Sequence, residues 1–239
     1  VYMARDGAFR DLDACLSWHP GYSTNVNRAG GAAVDTFWVE FFGQAAHAAG
    51  CPQQGRSALD AAMLFDVAVN YLREHVPDNV RIHGVILDGG TAPNVVPPYA
   101  RCWYTVRGLD REQVGAVHRR VGLCARAAAM ATETRVRETL LSAIYNRLPN
   151  DALGDLLGRN LKRFGPPRAD SADIEAAKAL GIEPVFAEDI GPDSKTPERA
   201  STDDDNVSWL APLGSFRMAC RAKNTPGHNR IVTKQNLLP

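Results

Sequence analysis

No apolar run in this sequence approaches the roughly 20 residues needed to span a bilayer, and no charged-then-apolar leader precedes the opening "VYMARDG". A membrane partner is therefore not expected. A charge imbalance is missing as well: Lys plus Arg and Asp plus Glu stand at 27 each. Without a global basic field there is nothing to recruit nucleic acid or an anionic surface, and small or neutral partners are favoured. Cysteine is sparse. Cys15, Cys51, Cys102, Cys124 and Cys220 are an odd, scattered set with no CxxC pair to suggest zinc or redox work, which reads as reduced thiols in a cytoplasmic protein. A Gly-rich phosphate loop, a GxSxG elbow and an HExxH pair are all absent, as are internal repeats and low-complexity tracts. The chain opens on Val1 rather than an initiator Met, so it is expected to be a fragment of a longer protein.

What is present is the composition of a globular protein: 239 residues, 45% hydrophobic and 23% charged, enough for one large domain or two small ones. "DTFWVEFF" (35–42) alternates Phe37, Val39 and Phe41 against Trp38, Glu40 and Phe42, the period of a strand. Ser57 with Asp60 three residues on reads as a capping-box start. Ala61, Leu64, Phe65, Ala68, Leu72 and Val76 then recur at helical spacing, predicting a helix over 58–75. Strands are predicted at "RIHGVILD" (81–88) and "ARCWYTVR" (100–107), punctuated by Gly89-Gly90 and Pro97-Pro98. Asp110 can cap a second helix with Val114, Val117, Val121, Ala125 and Ala128 on one face, and "ETRVRETLL" (133–141) supplies a last, weakly alternating strand. This order, β-α-β-β-α-β, is the ferredoxin-like arrangement, an antiparallel sheet with both helices on one face. Residues 146–200, rich in Pro, Asp and Gly, are expected to form loops and short helices, with one helical stretch near "SADIEAAKAL". The chemistry-bearing text at the two ends, "LSWHPG" and "ASTDDDNVSW…NTPGHN", suggests a compact domain inserted into another whose halves flank it: 1–30, then 31–142, then 143–239.

His47 raises the first functional question, because it stands in a polar turn among alanines and glycines, "FFGQAAHAAG", directly after a strand. His19, before Pro20-Gly21, and His228, in "NTPGHN", both fall at turns where a ring can face a cleft, and neutral imidazoles there could serve a first-row metal such as zinc or manganese. The plainer reading is that such histidines are satisfied by hydrogen bonds in ordinary turns. His75, His83 and His118 fall on helices, helix ends or a strand and read as structural. The run Asp203-Asp204-Asp205 reads as a solvated loop, although the apolar "VSW" that follows could carry one carboxylate into a site.

"FFGQAAHAAGCPQQGRSALDAAMLFDVAVNYLREHV" followed by "GGTAPNVVPPYARCWYTVRG" resembles the dimerisation or lid domain of the metal-dependent amidohydrolase and carboxypeptidase family, that of the aminoacylases and carboxypeptidase G. The flanking "DLDACLSWHPG", "LPN", "ASTDDDNVSW" and "TPGH" resemble most the branch that acts on p-aminobenzoyl-glutamate. The resemblance implies a ferredoxin-like lid inserted into a partial α/β metallohydrolase catalytic domain. It also implies roles: His47 reaching into a neighbouring subunit's site as an oxyanion donor, Asn94 and Arg107 binding the substrate carboxylate, and His19 and His228 among the ligands of one or two zinc or manganese ions. The implied activity is hydrolysis of the amide bond of an N-acyl or N-aroyl amino acid, or of a dipeptide, by a homodimer or a heterodimer with a related subunit. Exposed Met63, Val67 and Tyr71 on the first helix would supply contact surface. The sequence departs from the family pattern in lacking an HxD motif and a Glu-Glu pair, in Asp205 and Asn206 of the acidic loop, and in Arg230 where an aromatic residue is usual. These departures point to a fragment inactive alone, or to a second possibility, a non-catalytic dimerisation or carboxylate-binding module.

Overall fold

A computed structural model describes residues 2–197 and 200–225. Along the chain the elements are α1 (Tyr2–Arg5), β1 (Cys15–Gly21), β2 (Asn25–Val26), β3 (Ala33–Phe42), α2 (Ala58–Leu72), β4 (Arg81–Asp88), β5 (Tyr99–Gly108), α3 (Arg111–Ala131), β6 (Arg135–Ile144), α4 (Asp151–Phe164), α5 (Ser171–Ala179) and β7 (Leu213–Ala219). They fall into two compact units, one of Gly31–Asn146 with 200–203 and one of Tyr2–Gly30 with 147–197 and 204–225.

In the first unit the strands lie in the order β4-β5-β3-β6, every neighbour antiparallel, which is the ferredoxin-like sheet. Alternation decides which face is buried. Phe37, Val39 and Phe41 of β3 and Cys102, Val106 and Tyr104 of β5 are essentially inaccessible, and they meet the apolar stripes of α2 and α3 in one core. Full burial of each large apolar side chain stabilises by about 1.5–3 kcal/mol, so this single face dominates the unit's stability. Both helices start where side chains catch free backbone donors. Ser57 Oγ accepts from the Asp60 N–H at 3.1 Å, and Asp110 Oδ1 from that of Gln113 at 2.8 Å. The α3 stripe is the one the sequence predicts. The α2 stripe is turned: Leu64 is exposed and Val69 is buried, because Asp66 is drawn toward the sheet, where Tyr104 Oη donates to its carboxylate at 2.5 Å.

The second unit joins residues nearly 200 apart in sequence. β1 runs parallel to β7, pairing Cys15 with Leu213 and His19 with Arg217, and β2 closes the other side. α4 packs on β7 and β2 through Leu157, Leu161 and Val26. This 14-residue helix replaces the loops expected before residue 165, and it is capped by Asn150, whose Oδ1 accepts from the Leu153 N–H at 3.0 Å. The acidic run is also unlike the solvated loop expected. Asp205 is fully buried, with its Oδ1 2.6 Å from Arg147 Nε, while Asp204 takes Arg147 Nη2 at 3.1 Å and a hydrogen bond from Ser17 Oγ. All five cysteines are free thiols, and no helix among the described residues is long and apolar enough to cross a membrane.

Candidate functional site

His47 sits in the loop that leaves β3, and the backbone there is laced on both sides. Gln44 and Arg56 exchange two 2.9 Å hydrogen bonds, the Ala48 N–H donates to the Asn94 carbonyl at 3.0 Å, and the Val96 N–H donates to that of Ala46 at 3.0 Å. The loop therefore brings His47 and Asn94 together as exposed neighbours. The imidazole is fixed as well. Its Nδ1 accepts from the backbone N–H groups of Ala49 (3.2 Å) and Gly50 (3.0 Å). An Nδ1 that accepts two donors cannot carry the proton in the neutral ring, so Nε2 bears the N–H and presents it outward.

Arg107 lies elsewhere. It pairs with Val34 near the start of β3, whereas His47 follows the end of that strand, and the eight-residue rise from Val34 to Phe42 spans about 27 Å. Within one chain the structure thus groups His47 with Asn94 and separates both from Arg107. Across the strand from Arg107 stands Arg81, and His83 lies one row further. Burial pulls the Arg107 guanidinium below its ordinary pKa, and burial together with Arg107, Arg73 and Arg81 holds His83 below the usual histidine value.

His19 is exposed on the last residues of β1, and its Nδ1 lies 2.8 Å from the Pro20 carbonyl oxygen. Against a carbonyl the ring nitrogen must donate, which leaves the Nε2 lone pair outward, the tautomer a metal ligand needs. His19 thus fits as one ligand. Among the described residues no group of three or more His, Cys, Asp or Glu gathers around it or elsewhere as a metal site would require. His228 lies outside the described residues.

Two features of the site were not read from the sequence. Gly43 lets the strand turn into the His47 loop, because a Cβ there would come within 2.0 Å of the Arg56 carbonyl oxygen; the only sequence signal was a lone glycine after an aromatic strand. The other is the set of partners of His118, read as structural: Asp35 at 2.7 Å and Glu138 at 3.0 Å.

Residues 33–131 match the peptidase dimerisation domain, the M20 type. The chain is 33% identical to one subunit of the p-aminobenzoyl-glutamate hydrolase of Escherichia coli (strain K12), covering 98% of this chain and 56% of that protein. To the Xaa-Arg dipeptidase of Mus musculus it is 32% identical, over 89% of this chain and 44% of that one. The chain thus spans about half the length of the curated relatives it matches. Among solved structures, an aminobenzoyl-glutamate utilization protein from Klebsiella pneumoniae superposes with a TM-score of 0.62 at 24% identity, covering 90% of this chain and 53% of that one. An amidase of the hydantoinase/carbamoylase family from Burkholderia vietnamiensis gives 0.59 at 15%, over 87% and 46%. Both likenesses concern the fold.

Proposed function

The chain belongs to the amidohydrolase and peptidase family that carries this dimerisation domain, and from that premise we propose that it is part of an enzyme hydrolysing the amide bond of an N-acyl or N-aroyl amino acid. A p-aminobenzoyl-glutamate type of substrate comes first and a dipeptide second, following the two curated relatives. Residues 31–142 are assigned as lid and dimerisation domain, and 1–30 with 143–239 as parts of the catalytic domain. The observation that carries the reading is the pinned imidazole of His47, a rigid outward N–H donor on an exposed loop with Asn94 beside it.

Such a donor, aimed at a carbonyl oxygen that gains charge on attack, typically lowers the barrier by about 3–4 kcal/mol. A divalent zinc or manganese ion, one or two, would supply the activated water and carbonyl polarisation. His19, with its free Nε2, and His228 are the ligands this chain offers. Arg107 suits a carboxylate because its planar fork can grip both oxygens. Asn94 would assist at the same carboxylate. Because Arg107 stands at the far end of the sheet from His47 and Asn94, one complete site would draw these residues from two copies, Arg107 from one and His47 with Asn94 from the other. That requirement supports a homodimer, or a heterodimer with a related subunit, and the exposed Met63, Val67 and Tyr71 of α2 offer it apolar surface. A cytoplasmic location fits the free thiols.

The test is to load the full-length protein with manganese or zinc and assay N-aroyl and N-acyl amino acids and dipeptides. Hydrolysis of one of them is expected. A folded, metal-loaded protein that turns over none of them, yet still binds their carboxylates, would instead be the non-catalytic binding module.

A further inference from the structure

The helix α3 turns two stripes in opposite directions. Val114, Val117, Val121, Ala125 and Ala128 go into the core. On the other side run Glu112, Ala116, Arg119, Leu123, Arg126 and Met130, spaced alternately four and three residues apart. Within that outer stripe the apolar members Ala116, Leu123 and Met130 recur every seven residues, and so do the charged members Glu112, Arg119 and Arg126. A seven-residue repeat of this kind is the pattern of a helix that packs along its length against another helix. Leu123 is 58% and Met130 82% exposed, so the apolar half of the repeat is left largely in water.

The charged half is open as well. Among the described residues Arg119 and Arg126 have no hydrogen bond or ion pair, whereas their neighbour Arg120 donates to the His75 carbonyl oxygen at 2.6 Å. Gly115 and Gly122 flank the stripe. A Cβ on Gly122 would come within 3.3 Å of Arg126 Nη1 and 3.2 Å of Glu138 Oε2, and one on Gly115 within 3.7 Å of Arg119 Nη1. Each guanidinium thus folds back over the glycine four residues before it, and together they border an open groove of about 640 Å³. Arg119, Arg120, Arg126 and His118 line that groove against a single acid, Glu138, whose Oε1 lies 3.0 Å from His118 Nε2. The two outer arginines are one heptad apart, about 10.5 Å along the helix.

We propose that the outer face of α3 is a docking surface for an acidic amphipathic helix of a partner protein, which lays apolar side chains against Ala116, Leu123 and Met130 and sets carboxylates seven residues apart over Arg119 and Arg126. A helix supplies both periods at once, since its own side chains repeat at the same rise. Glu112, at the same repeat position as the arginines, reverses the sign at one end and holds the partner in one direction. A second copy of α3 is a poorer match, because it would bring the same two cations to the stripe. An anionic membrane is poorer too, because Glu112 would face it. None of these residues takes part in the proposed hydrolysis.

The experiment is binding of two synthetic helical peptides to the full-length protein, read by calorimetry. Both have 21 residues, matching α3, and one apolar repeat. One carries glutamates and the other lysines at the positions that face Arg119 and Arg126. The glutamate peptide is expected to bind about tenfold more tightly than the lysine peptide. Arg119→Glu combined with Arg126→Glu should reverse that preference, and Leu123→Asp should weaken both peptides with an unchanged thermal melt, since the side chain is exposed. Equal affinities for the two peptides, or no binding of either at about 1 mM, overturns the proposal without any variant. Sedimentation and flotation with phosphatidylserine vesicles separate the other occupants. An oligomer that Leu123→Asp dissociates would assign the face to a second copy, and vesicle binding that the same variant abolishes would assign it to a membrane; either overturns the partner helix.

Discussion

Asp35 Oδ2 and His118 Nδ1 lie 2.7 Å apart beneath the first turns of α3, with Arg111 Nη2 2.6 Å from the same carboxylate oxygen and Glu138 Oε1 3.0 Å from His118 Nε2. Phe37 stacks on the imidazole at 4.1 Å between ring centres. Burial alone would lower the His118 pKa, but the hydrogen bonds to Asp35 and Glu138 outweigh it and push the value up to about 9. Burial would likewise raise the Asp35 carboxyl, and its hydrogen bonds from His118 and Arg111 outweigh that and hold it below the usual carboxylate range.

The signs give a two-sided pH profile. A histidine raised above its unfolded value near 6.5 contributes its full stability below that pH and loses it as pH rises through about 9, here about 3 kcal/mol. Asp35, depressed, contributes above its unfolded value near 4 and loses that contribution as the medium is acidified. Thermal melts should be flat between about pH 5 and 6.5 and fall on either side. His118→Gln should flatten the alkaline limb, and a variant with the same alkaline slope as the parent would show that His118 is not its source.

Gly43 makes a prediction about loop shape. An added Cβ would meet backbone atoms of Arg56 and Ala58 rather than a side chain that could swing away. Gly43→Ala should therefore cost about 1–3 kcal/mol in urea unfolding and shift the amide signals of Ala49 and Gly50, which hold the His47 ring. Gly158→Ala, where the new atom would meet only Val26 Cγ2 at 3.7 Å, is the control and should leave those signals in place.

Period and capping made the first unit legible in the sequence: the alternation of Phe37, Val39 and Phe41, the valines of α3, and the caps Ser57 and Asp110 each report a local geometry. The turned stripe of α2 was not legible, because it depends on Asp66 meeting a tyrosine 38 residues away. The same limit hid the second unit. The pairing of Cys15 with Leu213 has no local signal, and a triple aspartate looks solvated until Arg147, 58 residues from Asp205, is found beside it. At the site, the type of residue was readable, but that His47 and Asn94 share one end of the sheet while Arg107 takes the other follows only from strand register.

Arg147 and Asp205 give the stability of the second unit a sharp test. Their side chains are 4% and 0% exposed, so removing Asp205 leaves the buried guanidinium only its longer pairing with the less buried Asp204 at 3.1 Å. Asp205→Ala should cost about 3–5 kcal/mol in denaturant unfolding, while Arg147→Met combined with Asp205→Leu should cost clearly less than Asp205→Ala alone. A double variant as unstable as the single one would mean that the Asp205 carboxylate stabilises the unit through contacts other than Arg147.

The separation of His47 from Arg107 leads to the strongest test of the shared site. His47→Ala removes the oxyanion donor and should lower kcat about 10²–10³-fold with little change in the melt, since the exposed ring is hydrogen-bonded within its own loop. Arg107→Gln should act mainly on KM by releasing the carboxylate. Each homodimer then carries two defective sites. If one site takes Arg107 from one copy and His47 from the other, a mixed dimer of the two variants holds one site lacking both groups and one site with both intact. Assayed at substrate well below the raised KM of the Arg107→Gln dimer, activity should therefore reappear on mixing, approaching half that of the unsubstituted dimer per mixed molecule. Mixed dimers whose exchange is verified by mass spectrometry and which stay inactive would place both residues in the same copy's site, and the roughly 27 Å of β3 between the Arg107 row and the strand end that leads to His47 would then require a different assignment for one of the two.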